Sequence, residues 1–239
     1  MSIAQWVSVG VMVIVSTVAF ITAYRKRPVI GILAAAFVVL IFIWYRKQGL
    51  NVIGFVQPKS WLATGLWGVG LGMALYLLST LVIDPFIESS TGKPTNLDFL
   101  DKIRGNWKQL LLGLLLAWVL TAFLAESIFR GFLMSEIGNI LTRTGVFAAI
   151  GLLISAIVYG AAHWHRGESG ILGAAILGLL LGDIFIWSGY NLWMPILAHA
   201  VLETISLILV FFNQDKFLKN MIWKEKKNER SQRPAAKNR

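Results

Sequence analysis

Residues 3–24 read IAQWVSVGVMVIVSTVAFITAY, and residues 28–45 read PVIGILAAAFVVLIFIWY. Neither stretch contains Asp, Glu, Lys or Arg. A helix needs about 20 predominantly apolar residues to cross the hydrocarbon core of a bilayer, with roughly 17–25 tolerated. Trp61–Ile83 and Gly145–Ala162 repeat the pattern without a charge, and Leu110–Ala125, Ile171–Trp187 and Leu192–Phe212 repeat it while carrying or abutting an ionisable group. Membrane strands would alternate over about ten residues, and these runs do not. The expected fold is all-α: a polytopic membrane helical bundle of about seven transmembrane helices. It divides into an N-terminal helix pair with its connector (1–60), a transmembrane core (61–212) and a basic tail (213–239).

The composition agrees. Of 239 residues 56% are hydrophobic and 14% charged, against about 25% charged in a soluble domain, and the mean hydropathy is +0.68. The absence of cysteine excludes a disulfide framework, a thiol nucleophile and a thiolate metal site. No basic residue precedes the first apolar run, unlike a secretory signal, so it reads as a retained helix with its N-terminus outside. Under that topology 17 of the 22 Lys and Arg fall inside, four outside, and Arg130 at membrane depth. That asymmetry follows the positive-inside rule and puts the C-terminus in the cytoplasm. Nine of the inside charges follow Phe212. They serve topology first and contact with anionic lipid second, and no folded basic face or aromatic platform suggests nucleic acid. The polar stretch Asp84–Gln109 is either an interfacial amphipathic segment or a plain connector. Gly68/Gly72 and Gly178/Gly182 have the small-xxx-small spacing of close helix contacts, a pattern also common by chance in glycine-rich spans.

Ionisable groups inside spans are costly and mark functional sites by default. Here they gather in the C-terminal half: Glu126, Arg130, His163, Asp183, His199 and Glu203. Glu126 and Arg130 share a helix face, as do His199 and Glu203. Glu126–Arg130 has the spacing of a structural ion pair, and a helix-end His163 has the option of a backbone carbonyl partner. Asp183 is either a supporting group or an interfacial one, and His165 has no assigned role. Two histidines and two carboxylates on three spans suit hydrolysis, with a base-held water and donors for the oxyanion. Two His and a Glu also form a catalytic zinc set, although no H-E-x-x-H is present. A proton or ion relay uses the same residue types, but the paired halves typical of transporters are not visible.

Three segments resemble the motifs of the CPBP family, intramembrane proteases that include the CAAX prenyl endopeptidases and bacterial Abi-type proteins. AESIFRGFL (125–133) matches Glu-Glu-x-x-x-Arg-Gly, Tyr159-Gly-Ala-Ala-His163 matches an aromatic residue followed by His, and His199-Ala-Val-Leu-Glu203 after NLWMPIL matches His-x-x-x-Asn/Asp. The resemblance spans roughly Leu110–Phe212. It implies an endopeptidase of a bacterial plasma membrane, acting on peptide or protein substrates that enter from the bilayer. By the same resemblance His163 orients the water, His199 serves the oxyanion, and Glu126 and Arg130 brace the site. Two positions depart from the pattern. Ala125 stands where the family carries its base, and Glu203 stands where Asn or Asp is usual; an ionised Glu has no proton to donate. The chain is then either a non-catalytic binding relative or a protease whose carboxylate has moved to Glu203. A third arrangement turns Glu126 into the cavity, against the ~100° that separates adjacent helical positions.

Overall fold

The computed structural model describes residues 2–141 and 145–215, without the side chains of 145–147. The basic residues from Lys216 onward lie outside the described residues. Among the described residues there are no strands, and seven apolar helices form a bundle. Six are long and apolar enough to cross a membrane, and the seventh is shorter.

Helix α1 (Ile3–Tyr24) starts at a capping box, in which Ser2 and Gln5 satisfy each other's backbone amides. Helix α2 (Pro28–Tyr45) starts at a proline, which lacks an N–H where none is needed. The polar connector holds a short 3₁₀ turn, Leu50–Ile53, and reaches α3. Helix α3 runs over Trp61–Thr91, beyond the expected end at Ile83, because a π-helical turn at Ser79–Ile83 precedes Pro85. Widening the helix there accommodates a residue that lacks an N–H and crowds the preceding turn. Helix α4 (Trp107–Ile140) likewise continues past the expected end at Ala125, through two π-helical stretches, Ala117–Leu124 and Ser127–Met134. Helix α5 (Gly145–Ala161), a 3₁₀ turn at Trp164–Arg166, α6 (Gly167–Trp187) and α7 (Trp193–Phe211) complete the bundle.

Close helix crossings rest on the glycines. A Cβ at Gly68 would come within 2.6 Å of the Leu197 side chain, and one at Gly72 within 2.6 Å of the Ala198 carbonyl, so α3 and α7 touch backbone to backbone. Gly160 and Gly178 do the same for α5 and α6, and a Cβ at Gly178 would sit 3.1 Å from the Ala156 Cα. The small-xxx-small spacing therefore has a packing role here rather than arising by chance.

Many large apolar residues face outward and several ionisable ones inward, unlike a soluble bundle. Trp6, Phe37, Leu62, Leu66, Leu115 and Ile157 are all exposed, while Glu126, Arg130, Ser155 and His199 are buried. Lipid is the solvent that such an exterior requires. Aromatic residues ring both ends of the bundle, as they do at membrane interfaces. Trp193 packs on Phe55 and Trp61, and Trp67 on Trp187, at one end; Trp164 packs on Phe20 and Tyr24 at the other. The chain is an integral membrane protein.

The N-terminal pair is not a separate body. Val15 of α1 and Ala35, Val39 and Phe42 of α2 share one core with Ala125, Phe129 and Phe132 of α4. Arg46, just after α2, pairs with the buried Glu136 of α4 at 3.1 Å. Nothing in the local sequence announces this link, because its partners are 90 residues apart.

Candidate functional site

The two π-helical stretches of α4 leave Ala125 and Glu126 between them. This insertion resets the helix phase, and each of the two residues faces a different structure. Ala125 opens on a cavity of about 600 Å³, whose wall also includes Tyr159, His163, Arg166 and Glu203. Glu126 is fully buried and does not line that cavity.

Glu126 instead anchors a row of buried polar groups. Its Oε1 accepts from Arg130 Nη1 at 3.2 Å and lies 2.8 Å from His199 Nδ1. A carboxylate only accepts, so the Nδ1 of His199 carries the proton and its Nε2 points away from Glu126. That Nε2 has no hydrogen-bond partner and lies 3.7 Å from Glu203 Oε1, too far for a hydrogen bond. Arg130 is equally buried. Its Nη2 donates to the Gly178 carbonyl at 3.0 Å, and its guanidinium carbon sits 4.5 Å from the centre of the Tyr159 ring. Gly178 thus serves twice, as a close-packing residue and as the acceptor that aims Arg130. The row Arg130–Glu126–His199–Glu203 ties α4, α6 and α7 together.

Tyr159 links this row to the second histidine. Its ring is 4.6 Å from that of His163 and 6.4 Å from that of His199. The Nδ1 of His163, half-buried in the connection after α5, lies 2.8 Å from the Tyr159 carbonyl. A carbonyl accepts only, so His163 carries its proton on Nδ1 and offers a lone pair on Nε2. Burial, and then the Arg166 charge nearby, hold the His163 pKa well below the ordinary 6.5. The ring is therefore neutral at pH 7.

Of the residues expected at a site, Ala125, His163 and Glu203 line the cavity, whereas Glu126, Arg130 and His199 form the buried row beside it. Asp183 is exposed on α6, outside the cavity and outside the row. His165 lines the cavity with its ring 6.0 Å from that of His163. Sequence reasoning did not find Arg166 or Glu136. Arg166 lies three residues beyond His163, and that closeness to a motif histidine was the available signal. Among the described residues no three His, Asp or Glu side chains converge as a metal-holding set.

The cavity is walled on one side by α2, through Val29, Ile32 and Ala35, and on the other by α4, through Leu112, Leu116 and Leu120. Its polar end holds an acceptor nitrogen, a carboxylate and a guanidinium. Such a set can hold and deprotonate a water beside an apolar, extended chain.

Residues 107–205 match the family model described as type II CAAX prenyl endopeptidase Rce1-like. Neither the curated proteins nor the solved structures contain a match to the chain. The matched segment begins at the first residue of α4 and ends two residues beyond Glu203, so it carries all three motifs. That match makes residues 107–205, less than half of the chain, similar to the CPBP family, at family level a family of CAAX-type intramembrane proteases.

Proposed function

We propose that the protein is an intramembrane endopeptidase that hydrolyses peptide bonds with a water activated by Glu203 and oriented by His163. The observation that carries this reading is the shared wall: Glu203 and His163 open on one cavity, on which Ala125 presents only a methyl group. The carboxylate missing at position 125 is replaced from α7 rather than from the next residue, because Glu126 is committed to His199 and Arg130.

In this scheme the Nε2 of His163 accepts a hydrogen bond from the water. Glu203 takes one water proton as the water oxygen bonds to the scissile carbonyl carbon. Collapse of the tetrahedral species breaks the C–N bond, and the proton on Glu203 passes to the leaving amine nitrogen. His199, pinned through Nδ1, keeps its Nε2 towards Glu203 at 3.7 Å. The substrate is a peptide or protein segment that reaches the cavity from the bilayer between α2 and α4. The polar end of the cavity faces the cytoplasm of a bacterial plasma membrane, in line with the basic residues of the adjoining connections.

A second reading has one observation in its favour, the methyl group of Ala125: a catalytically inactive relative that binds a membrane segment without cutting it. Cleavage of a mixed pool of quenched fluorogenic peptides by the detergent-solubilised chain separates the two. Activity in the native chain that is lost in Glu203→Gln is the expected result. Silence in the native chain with activity gained in Ala125→Glu would replace the protease by the binding protein.

A further inference from the structure

Hydrolysis at this cavity leaves one role without an occupant. The tetrahedral species carries a negative oxygen, and its stabilisation by preorganised donors is usually the largest single catalytic effect. Glu203, as a carboxylate, has no proton to offer, and His199 is 1% exposed and does not line the cavity. The Nδ1 proton of His163 is bound to the Tyr159 carbonyl, and the Thr121 hydroxyl to the Ala117 carbonyl.

We infer that Arg166 is the oxyanion donor of this site, its guanidinium binding the negative oxygen that forms on the substrate carbonyl. The inference rests on the hydrolytic reading above and assigns to a residue outside the three motifs a role that His199 and Glu203 leave open.

Arg166 lines the same cavity as His163 and Glu203. It forms no ion pair with any described residue, and its Nε is buried without a hydrogen-bond partner. Its charge acts on the Glu203 carboxylate across the cavity without closing an ion pair with it. It is nonetheless held in place. The Arg166 amide donates to the His163 carbonyl at 2.8 Å, which fixes the spacing between the water-orienting ring and the cation. The Arg166 carbonyl accepts from the Asn96 amide at 3.1 Å, and the guanidinium carbon lies 5.6 Å from the centre of the Phe99 ring. The connector before α4 thus clamps backbone and head group alike. A fixed, positively charged fork with an unpartnered Nε–H in a largely apolar enclosure is what a developing oxyanion requires.

The test compares Arg166→Gln and Arg166→Lys with the native chain and with Lys108→Gln, which removes an exposed cation outside the cavity. Peptide cleavage gives kcat and KM, and binding of a phosphinic peptide, a stable mimic of the tetrahedral anion, is measured against the parent peptide. Arg166→Gln is expected to lower kcat about 10²–10³-fold, the size of losing one oxyanion donor, with KM changed less than about threefold. Phosphinic-peptide affinity falls by a similar factor while parent-peptide affinity holds. Arg166→Lys recovers at least about tenfold of the loss and guards against a folding defect in the glutamine variant, and Lys108→Gln stays within about twofold. An unchanged kcat in Arg166→Gln, or a rise in KM alone, would overturn the assignment; the second would make Arg166 an anchor for an anionic substrate group. Cleavage that survives Arg166→Gln but is lost in Glu203→Gln refutes this inference alone. A native chain and an Ala125→Glu chain that both fail to cleave refute the hydrolytic reading and this inference with it.

Discussion

Replacing Glu126 by Ala removes one acceptor from two donors at once. Arg130 Nη1 and His199 Nδ1 meet at the same Oε1, and all three side chains are at most 1% exposed. Leaving one member of a buried ion pair behind costs about 3–5 kcal/mol. Arg130 keeps its bond to the Gly178 carbonyl and its place over Tyr159, which offsets part of that loss and puts the expected destabilisation at about 3 kcal/mol. For a chain of this size each kcal/mol moves Tm by roughly 2–4 °C, so Glu126→Ala should melt about 6–12 °C below the native protein. The informative comparison is the double variant Glu126→Ala/Arg130→Met, which removes the stranded charge and should recover at least about 2 kcal/mol. Glu203→Gln should stay within about 1 kcal/mol of native, because Glu203 reaches His199 only at 3.7 Å. Thermal unfolding in detergent, followed by the fluorescence of the 10 tryptophans, reads all of these. A double variant as unstable as the sum of its single variants would refute the brace, since no coupling would remain between the two charges.

Further outcomes follow from other contacts. Gly72→Ala should destabilise by about 1–3 kcal/mol, because its methyl meets the Ala198 carbonyl at 2.6 Å. Gly70→Ala, with nothing within 4 Å, should be neutral or gain about 0.5–1 kcal/mol in the same melting assay. Arg46→Ala strands the Glu136 carboxylate, which among the described residues keeps its contact with Asn139, and should cost about 1–3 kcal/mol. His163 titrates below 6.5 in the folded chain, so the unfolded chain binds more protons there. Stability due to this residue is complete above pH 6.5 and declines as pH falls below it. Denaturation curves from pH 7.5 to 5 should therefore drop less steeply for His163→Asn than for the native chain.

The existence of the helices is legible from apolar run length alone, and α1 and α2 keep the limits read from the sequence, Ile3–Tyr24 and Pro28–Tyr45. Hydrophobicity says little about where a helix stops once the chain leaves the bilayer core. Helix α3 runs eight residues beyond Ile83 over a proline, and α4 runs on through Arg130 to Ile140. In both cases π-helical turns absorb what would break a regular helix. Such turns leave no mark in a pattern analysed at one fixed period. The same blindness hides Arg46–Glu136, whose partners belong to separate helices, and it makes a glycine pair at a crossing look like one arising by chance.

The site shows where that limit matters. Clustering of Glu126, Arg130, His163, His199 and Glu203 follows from the sequence, because costly groups in spans must find one another. The division of labour among them does not follow, since it depends on which of two adjacent residues faces the cavity. With Ala125 on the cavity wall and Glu126 fully buried beside it, a change at position 125 alters the reactive surface and leaves the brace intact. A change at 126 does the opposite. An alanine at 125 is thus tolerable to the fold, and in the proposed reading Glu203 supplies the negative charge of the same wall. That reading has a cost: where the family pattern allows an Asn, which can donate, an ionised glutamate only accepts. An acceptor on that wall makes a separate cation necessary for any chemistry that builds negative charge on a carbonyl oxygen, and Arg166 is the guanidinium that the connector clamps beside it.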